Sequence, residues 1–192
     1  VMDTVDERAT DQWFDNLEEA FEGKAPDYLV VSHLEPDHSG NIERFLKKYP
    51  DTIVVANAKT FAMLPQFIDI DVPEDKRFVA AEGTTLALGK HVLTFVMAPM
   101  VHWPEVMVEY ESTEKVLFSA DGFGTFGALG DRLKTSELEN MPQSWADEAR
   151  RYFINIVGKY GPSVQGLLKK ASALDISAVS YTHLRAHETG AY

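Results

Sequence analysis

Apolar positions along the first part of the chain alternate between two periods. Trp13, Phe14, Leu17, Ala20 and Phe21 share one face at the helical period, with acids opposite, which predicts a helix that Gly23 ends. Tyr28-Leu29-Val30-Val31-Ser32 is a short, nearly continuous apolar run, the pattern of a strand covered on both faces. Ile42, Phe45, Leu46 and Tyr49 then mark a second helix, and Ile53-Val54-Val55-Ala56 a second strand. Residues 58–67 predict a short helix broken at Pro65.

The middle changes character. Phe78-Val79-Ala80, Thr84 to Leu88, Val92 to Met97, Val106 to Tyr110 and Lys115 to Ser119 read as strands, and Ala98 to Val101 as one more apolar strand. Tight reversals at Gly89-Lys90 and across Glu111-Ser112-Thr113-Glu114 imply antiparallel hairpins. Two helices are expected near 145–160 and 162–174, with Pro162 suited to a first turn. Strands with helices before and after predict an α+β fold, its sheets sandwiched between helical layers.

Composition narrows the function. The 192 residues, 45% of them hydrophobic, suffice for one domain with a core. Eighteen basic against 30 acidic residues leave a net charge of −12, which opposes binding to nucleic acid or to an anionic membrane. No apolar run approaches a membrane span, and the first residues carry no secretory signal, so the expected setting is cytoplasmic. With no cysteine, any metal must be held by imidazole and carboxylate.

That chemistry is concentrated in Ser32-His33-Leu34-Glu35-Pro36-Asp37-His38-Ser39-Gly40. His33, Glu35, Asp37 and His38 crowd together directly after a strand, on a loop stiffened by Pro36. Read as a plain helix-capping turn, the segment would use Ser39 as the N-cap and leave two histidines and two acids without a role. His102 and Asp121 each follow an apolar run, on strands read as neighbours in a hairpin, and could face the first cluster. His183 extends the set. Gly122, Gly124 and Gly127 spell G-x-G-x-x-G, but the preceding strand pairs antiparallel and no helix starts inside the run, so close packing is expected, not a dinucleotide loop. His91 opens a hairpin strand and reads as a surface residue.

The pattern H-x-E-x-D-H, then His, Asp and His, with His102-Trp103-Pro104 and Asp121-Gly122-Phe123-Gly124-Thr125-Phe126-Gly127, resembles the flavodiiron proteins of the metallo-β-lactamase superfamily. The resemblance implies an αββα metallo-β-lactamase-like fold and two non-haem irons. It would place His33, Glu35 and His102 on the iron nearer the flavin, Asp37, His38 and His183 on the distal iron, and Asp121 between them. Zinc hydrolases of the superfamily carry histidine where this chain has Glu35, and a carboxylate suits iron better. Charge also closes: two Fe(II) against three carboxylates and one bridging hydroxide sum to zero.

By the same resemblance the parent reduces O2 to water, or nitric oxide to nitrous oxide. Its electrons come from FMN on a flavodoxin-like domain fed by a donor such as rubredoxin. Head-to-tail homodimers bring one subunit's FMN to the other's iron, where Trp103 is a possible flavin contact. The chain also departs from the family. Its length leaves no room for the flavodoxin-like domain, and Asp3-Thr4 resembles the end of a family strand, so a fragment is expected, its metal domain spanning 1–178 and lacking the opening strands. Tyr181-Thr182-His183-Leu184 stands where relatives have a serine-histidine-glycine turn. From about Val179 to His187 the chain resembles a translated sequencing adapter, and residues 179–192 read as a tail of doubtful origin. Two rival functions remain: an O2-sensing di-iron protein, and a zinc hydrolase on the same fold.

Overall fold

The computed structural model describes residues 1–127 and 143–182. Helix α1 (Thr10–Phe21) leads into β1 (Tyr28–Val30), the short α2 (Pro36–Ser39), α3 (Ile42–Lys48), β2 (Ile53–Asn57), α4 (Ala58–Met63) and β3 (Arg77–Ala80). Five strands follow: β4 (Thr85–Leu88), β5 (His91–Met97), β6 (Met107–Glu111), β7 (Val116–Phe118) and β8 (Ala178–Ser180). Between β7 and β8 stand α5 (Gln143–Tyr152) and α6 (Gly161–Ala171).

The strands form two sheets, β1-β2-β3 and β4-β5-β6-β7-β8. The first is parallel, as its helical crossovers require. In the second, β4 to β7 are antiparallel and β8 adds a parallel edge. Three apolar layers hold the stack. Val30, Val55 and Ala80 of the first sheet meet Leu86, Leu93, Phe95 and Met107 of the second. Outside the first sheet, Leu29, Val54 and Ala56 pack with Ile42 and Phe45 of α3 and with Trp13, Phe14 and Leu17 of α1. Outside the second, Val96, Val108 and Leu117 pack with Val157 and Leu167. The order is helix, sheet, sheet, helix, an αββα sandwich.

The strand at Phe78 to Ala80 joins the first sheet, parallel to β2, and not the hairpins. Residues 98–101 are not a strand, because β5 ends at Met97 and the chain turns there. Nor are the strands before His102 and Asp121 neighbours, since β6 lies between β5 and β7. Both run antiparallel to β6, so their C-terminal ends still point the same way. The helix expected near 145–160 is α only to Tyr152, continuing as a π-turn over Phe153–Val157 and a 3-10 turn over Gly158–Tyr160. Pro162 does sit in the first turn of α6. Val179 and Ser180 pair with Leu117 and Phe118, so a boundary drawn at 178 falls inside β8.

Candidate metal centre

Beyond β1, residues 31–34 belong to no helix or strand, and His33 and Glu35, two residues apart, both reach the same group of donor atoms. Pro36 then opens α2, whose fixed φ and missing N–H suit a first turn, and the change of backbone swings Asp37 and His38 to the other side. Ser39 is the last residue of α2 and donates its hydroxyl to the Leu34 carbonyl at 2.8 Å, so it pins the loop instead of capping α3. His102, after β5, and Asp121, after β7, enter from the parallel-pointing ends of those strands.

Two groups of donor atoms result: His33, Glu35, His102 and Asp121 in one, and Asp37, His38 and Asp121 in the other. Asp121 belongs to both. Its Oδ2 lies 3.1 Å from His102 Nε2 and 3.4 Å from His33 Nε2, while its Oδ1 lies 3.1 Å from His38 Nε2. Glu35 Oε2 stands 2.9 Å from His102 Nε2 and 3.4 Å from His33 Nε2, and Asp37 Oδ2 is 3.8 Å from His38 Nε2. Within each group the donor atoms all lie within 4.8 Å of one another. An ion with ligand bonds of about 2.0–2.2 Å sets its ligand atoms about 3–4.4 Å apart, so the donor set fits a cation in each group. Among the described residues no hydrogen bond reaches the buried His33 Nε2, which also fits a ring aimed at an ion.

The electrostatics match. Burial works to lower the His102 pKa, yet Asp121 and Glu35 overcome it and push the ring up to about 9. His102 and His33 in turn hold Glu35 down at about 2. His33 and His38 are likewise raised by their carboxylates against the cost of burial. Without a cation, protons hold this cluster together.

Several residues around the centre escaped the sequence reading. Glu105, fully buried, accepts from His33 Nδ1 at 2.8 Å and from the Leu34 N–H at 3.0 Å. Asp3 accepts from His38 Nδ1 at 2.9 Å and from the Ser32 N–H at 2.6 Å. Both carboxylates fix a ring with Nε2 directed inward. Glu109, buried in the inter-sheet layer, accepts from the Ser32 hydroxyl at 3.1 Å, and burial, then Asp3, pushes its pKa well up. Tyr152 is buried and its hydroxyl faces Asp121; burial, then that charge, pushes the phenol up. The one available signal was an acid inside an apolar stretch, present for Glu105 and Glu109 and for neither Asp3 nor Tyr152.

Trp103 is half-buried, edge-on to His33 with ring centres 5.0 Å apart, and packs on the exposed Phe67 at 5.5 Å. A Cβ on Gly124 would come within 2.6 Å of the Tyr152 ring and one on Gly122 within 2.9 Å of the Ser119 carbonyl, so these glycines serve close packing. His91 is partly exposed, 3.2 Å from Glu111 and away from both donor groups. His183 lies outside the described residues.

The family model described as "ODP family beta lactamase" matches residues 1–181. The rubredoxin-oxygen oxidoreductase of Megalodesulfovibrio gigas is 34% identical over 84% of this chain and 39% of its own length. A nitric oxide reductase of Moorella thermoacetica is 29% identical over 92% of this chain and 43% of its own. Among solved structures, rubredoxin oxygen:oxidoreductase from Desulfovibrio gigas superposes with a TM-score of 0.79 at 28% identity, over 94% of this chain and 44% of that one. The flavodiiron protein from Giardia intestinalis does so at 0.83 and 24% identity, over 94% and 43%. The chain spans 45% and 29% of the length of two further curated relatives, one from Methanocaldococcus jannaschii and one from Thermosynechococcus vestitus.

Proposed function

The chain belongs to the ODP beta-lactamase family, whose relatives here are flavodiiron proteins, and from that premise we propose that it is the di-iron domain of an oxidoreductase reducing O2, nitric oxide or both. One observation carries the reading: two donor groups share a single carboxylate, Asp121, whose two oxygens face different histidines. His33, Glu35 and His102 would hold one iron, Asp37 and His38 the other, with His183 as a further ligand of the second, and Asp121 would bridge them. Glu35 in place of a third histidine favours iron over zinc.

Bound there, an iron pair supplies Lewis acidity and two electrons per passage between its ferrous and ferric states. The chain's own residues do the rest. Glu105 and Asp3 accept from Nδ1 of His33 and His38, which would leave each Nε2 to face a cation once its own proton is displaced. Full burial of His33 and His38 keeps water from competing for those atoms. Reduction of O2 to two waters needs four electrons, so the whole protein needs a reservoir. FMN on a flavodoxin-like domain, refilled by a rubredoxin-like donor, fits that need. The pair of half-buried Trp103, beside His33, and exposed Phe67 is where a partner subunit's flavin would approach in a head-to-tail homodimer. A cytoplasmic setting belongs to the same proposal.

Anaerobic loading with Fe(II) tests it. About two irons should bind per chain, with a coupled-pair Mössbauer or EPR signature, and the reduced protein should be oxidised once by O2 or nitric oxide. Firm binding of two zincs with iron excluded would overturn the di-iron reading.

A further inference from the structure

A cavity of about 360 Å³ opens beside the centre, between the loop after β7 and the layer built by α5 and α6. Its walls are almost wholly carbon. At the inner end stand Val101, Gly122, Gly124 and the Tyr152 ring. Val101 and Gly122 are the chain neighbours of His102 and Asp121, and Tyr152 turns its hydroxyl toward Asp121 while its ring lines the cavity. At the outer end are Phe123, Phe153 and Leu168, exposed by 43%, 42% and 40% although large and apolar. The space thus runs from an apolar mouth at the surface to a wall shared with the donor groups.

Such a space discriminates by polarity. A water molecule needs two to four polar partners to be held, and walls without them stay dry and accept xenon or small hydrocarbons. An ion entering would lose its hydration with nothing in exchange. An uncharged diatomic gas loses almost nothing, so the cavity raises its local concentration relative to water. Resting on the di-iron reading above, we propose that this cavity is the collecting site for the uncharged diatomic substrate, O2 or nitric oxide, with the Tyr152 ring as the wall between it and the metal pair.

Xenon is the probe. In the metal-free chain, xenon pressure should shift the amide signals of Gly122 and Gly124 and saturate. Val164→Phe and Ala149→Trp, two cavity-lining positions outside the donor groups, should abolish that shift. With iron bound and reduced, the same variants should keep full metal content yet react with nitric oxide about tenfold more slowly in the second-order regime, the low end of what mutation does to association rates. If one variant fails to fold by circular dichroism, the other carries the test. Unshifted Gly122 and Gly124 signals, or filled variants reacting as fast as the parent, would overturn the proposal and leave the di-iron reading standing. Failure of the parent to take up iron would instead fell that reading, and the substrate assignment with it, whatever xenon did.

Discussion

The first sheet delivers His33, Glu35, Asp37 and His38 to the centre from a single loop after β1, whereas the second delivers His102 and Asp121 from the ends of β5 and β7. In the first, local geometry does the sorting: two side chains before Pro36 join one donor group, and two from the proline-led turn join the other. In the second, sheet topology does it, because strands flanking a common antiparallel neighbour end on the same side. The loop supplies most of the donors, yet the residue common to both groups comes from the other sheet. Number of ligands and weight of each ligand are therefore divided unequally between the two halves.

Substitution of Asp121 breaks that division most severely. Asp121→Ala removes an oxygen from each donor group and, on the di-iron proposal, the negative charge that would lie between two cations, whose repulsion at about 3.5–4 Å would be steep. Metal content should fall from about two per chain to near zero. His38→Ala removes one donor from one group only, and should leave roughly one ion, as read by elemental analysis. Retention of both ions by Asp121→Ala would mean that the bridge lies elsewhere.

The supporting carboxylates sharpen the comparison next. Glu105 comes from the second half and holds a histidine of the first-sheet loop, while Asp3 beside β1 holds the other. Glu105→Ala leaves a fully buried imidazole without its partner, and should weaken metal affinity by about 10- to 100-fold. The Asp3 side chain is 13% exposed, so water can replace it in part, and Asp3→Asn should act at the low end of that range. Competition with a chromophoric chelator measures both.

Acid and base then act on different members of the cluster. Glu35 is held at about 2, below its ordinary 4.5, so its contribution to the metal-free fold is complete above 4.5 and lost as pH falls toward 2. His102 is raised from 6.5 to about 9, so its contribution is complete below 6.5 and lost as pH rises through 9. Melting of the metal-free chain should therefore peak between pH 4.5 and 6.5 as far as these two groups decide it. Cation binding displaces the imidazole proton, so affinity should climb from pH 6.5 to 9 with measurable proton release. A flat affinity profile across that window would remove His102 from the donor set.

The same contrast governs how much the sequence discloses. The cluster from His33 to His38 is legible because its four members fall within six residues, and Asp121 because an acid is out of place at the end of Val116 to Ala120. Glu105 and Glu109 were visible as acids but not as buried ones. On β6, Met107, Glu109 and Glu111 alternate with Val108 and Tyr110, which by period alone turns the glutamates to solvent. The first sheet covers that face, and every residue of β6 is buried. Strand Arg77–Ala80 misled for a related reason: its sequence carries no mark of whether it continues a parallel sheet or starts a hairpin. Pairing partners, unlike periods, are set by the rest of the molecule.

The smallest expected effect concerns the two ends of one strand. His91 begins β5, and the loop carrying His102 follows its end at Met97. A strand advances about 3.3 Å per residue, so seven residues separate the two ends by roughly 20 Å, too far for any shared ion. His91 stands instead 3.2 Å from Glu111, whose carboxylate also accepts from the backbone of Thr113 and Glu114 at 2.8 and 2.6 Å. Removing the ring leaves that acid bonded to the turn, at a partly exposed position. His91→Ala should thus keep the full complement of metal and shift the melting temperature by no more than about 2 °C. His102→Ala, on the loop beyond the other end of the strand, should lower metal content. Loss of metal in His91→Ala would show that an imidazole at the far end of β5 acts on the centre, and the topological account of the second sheet would fail.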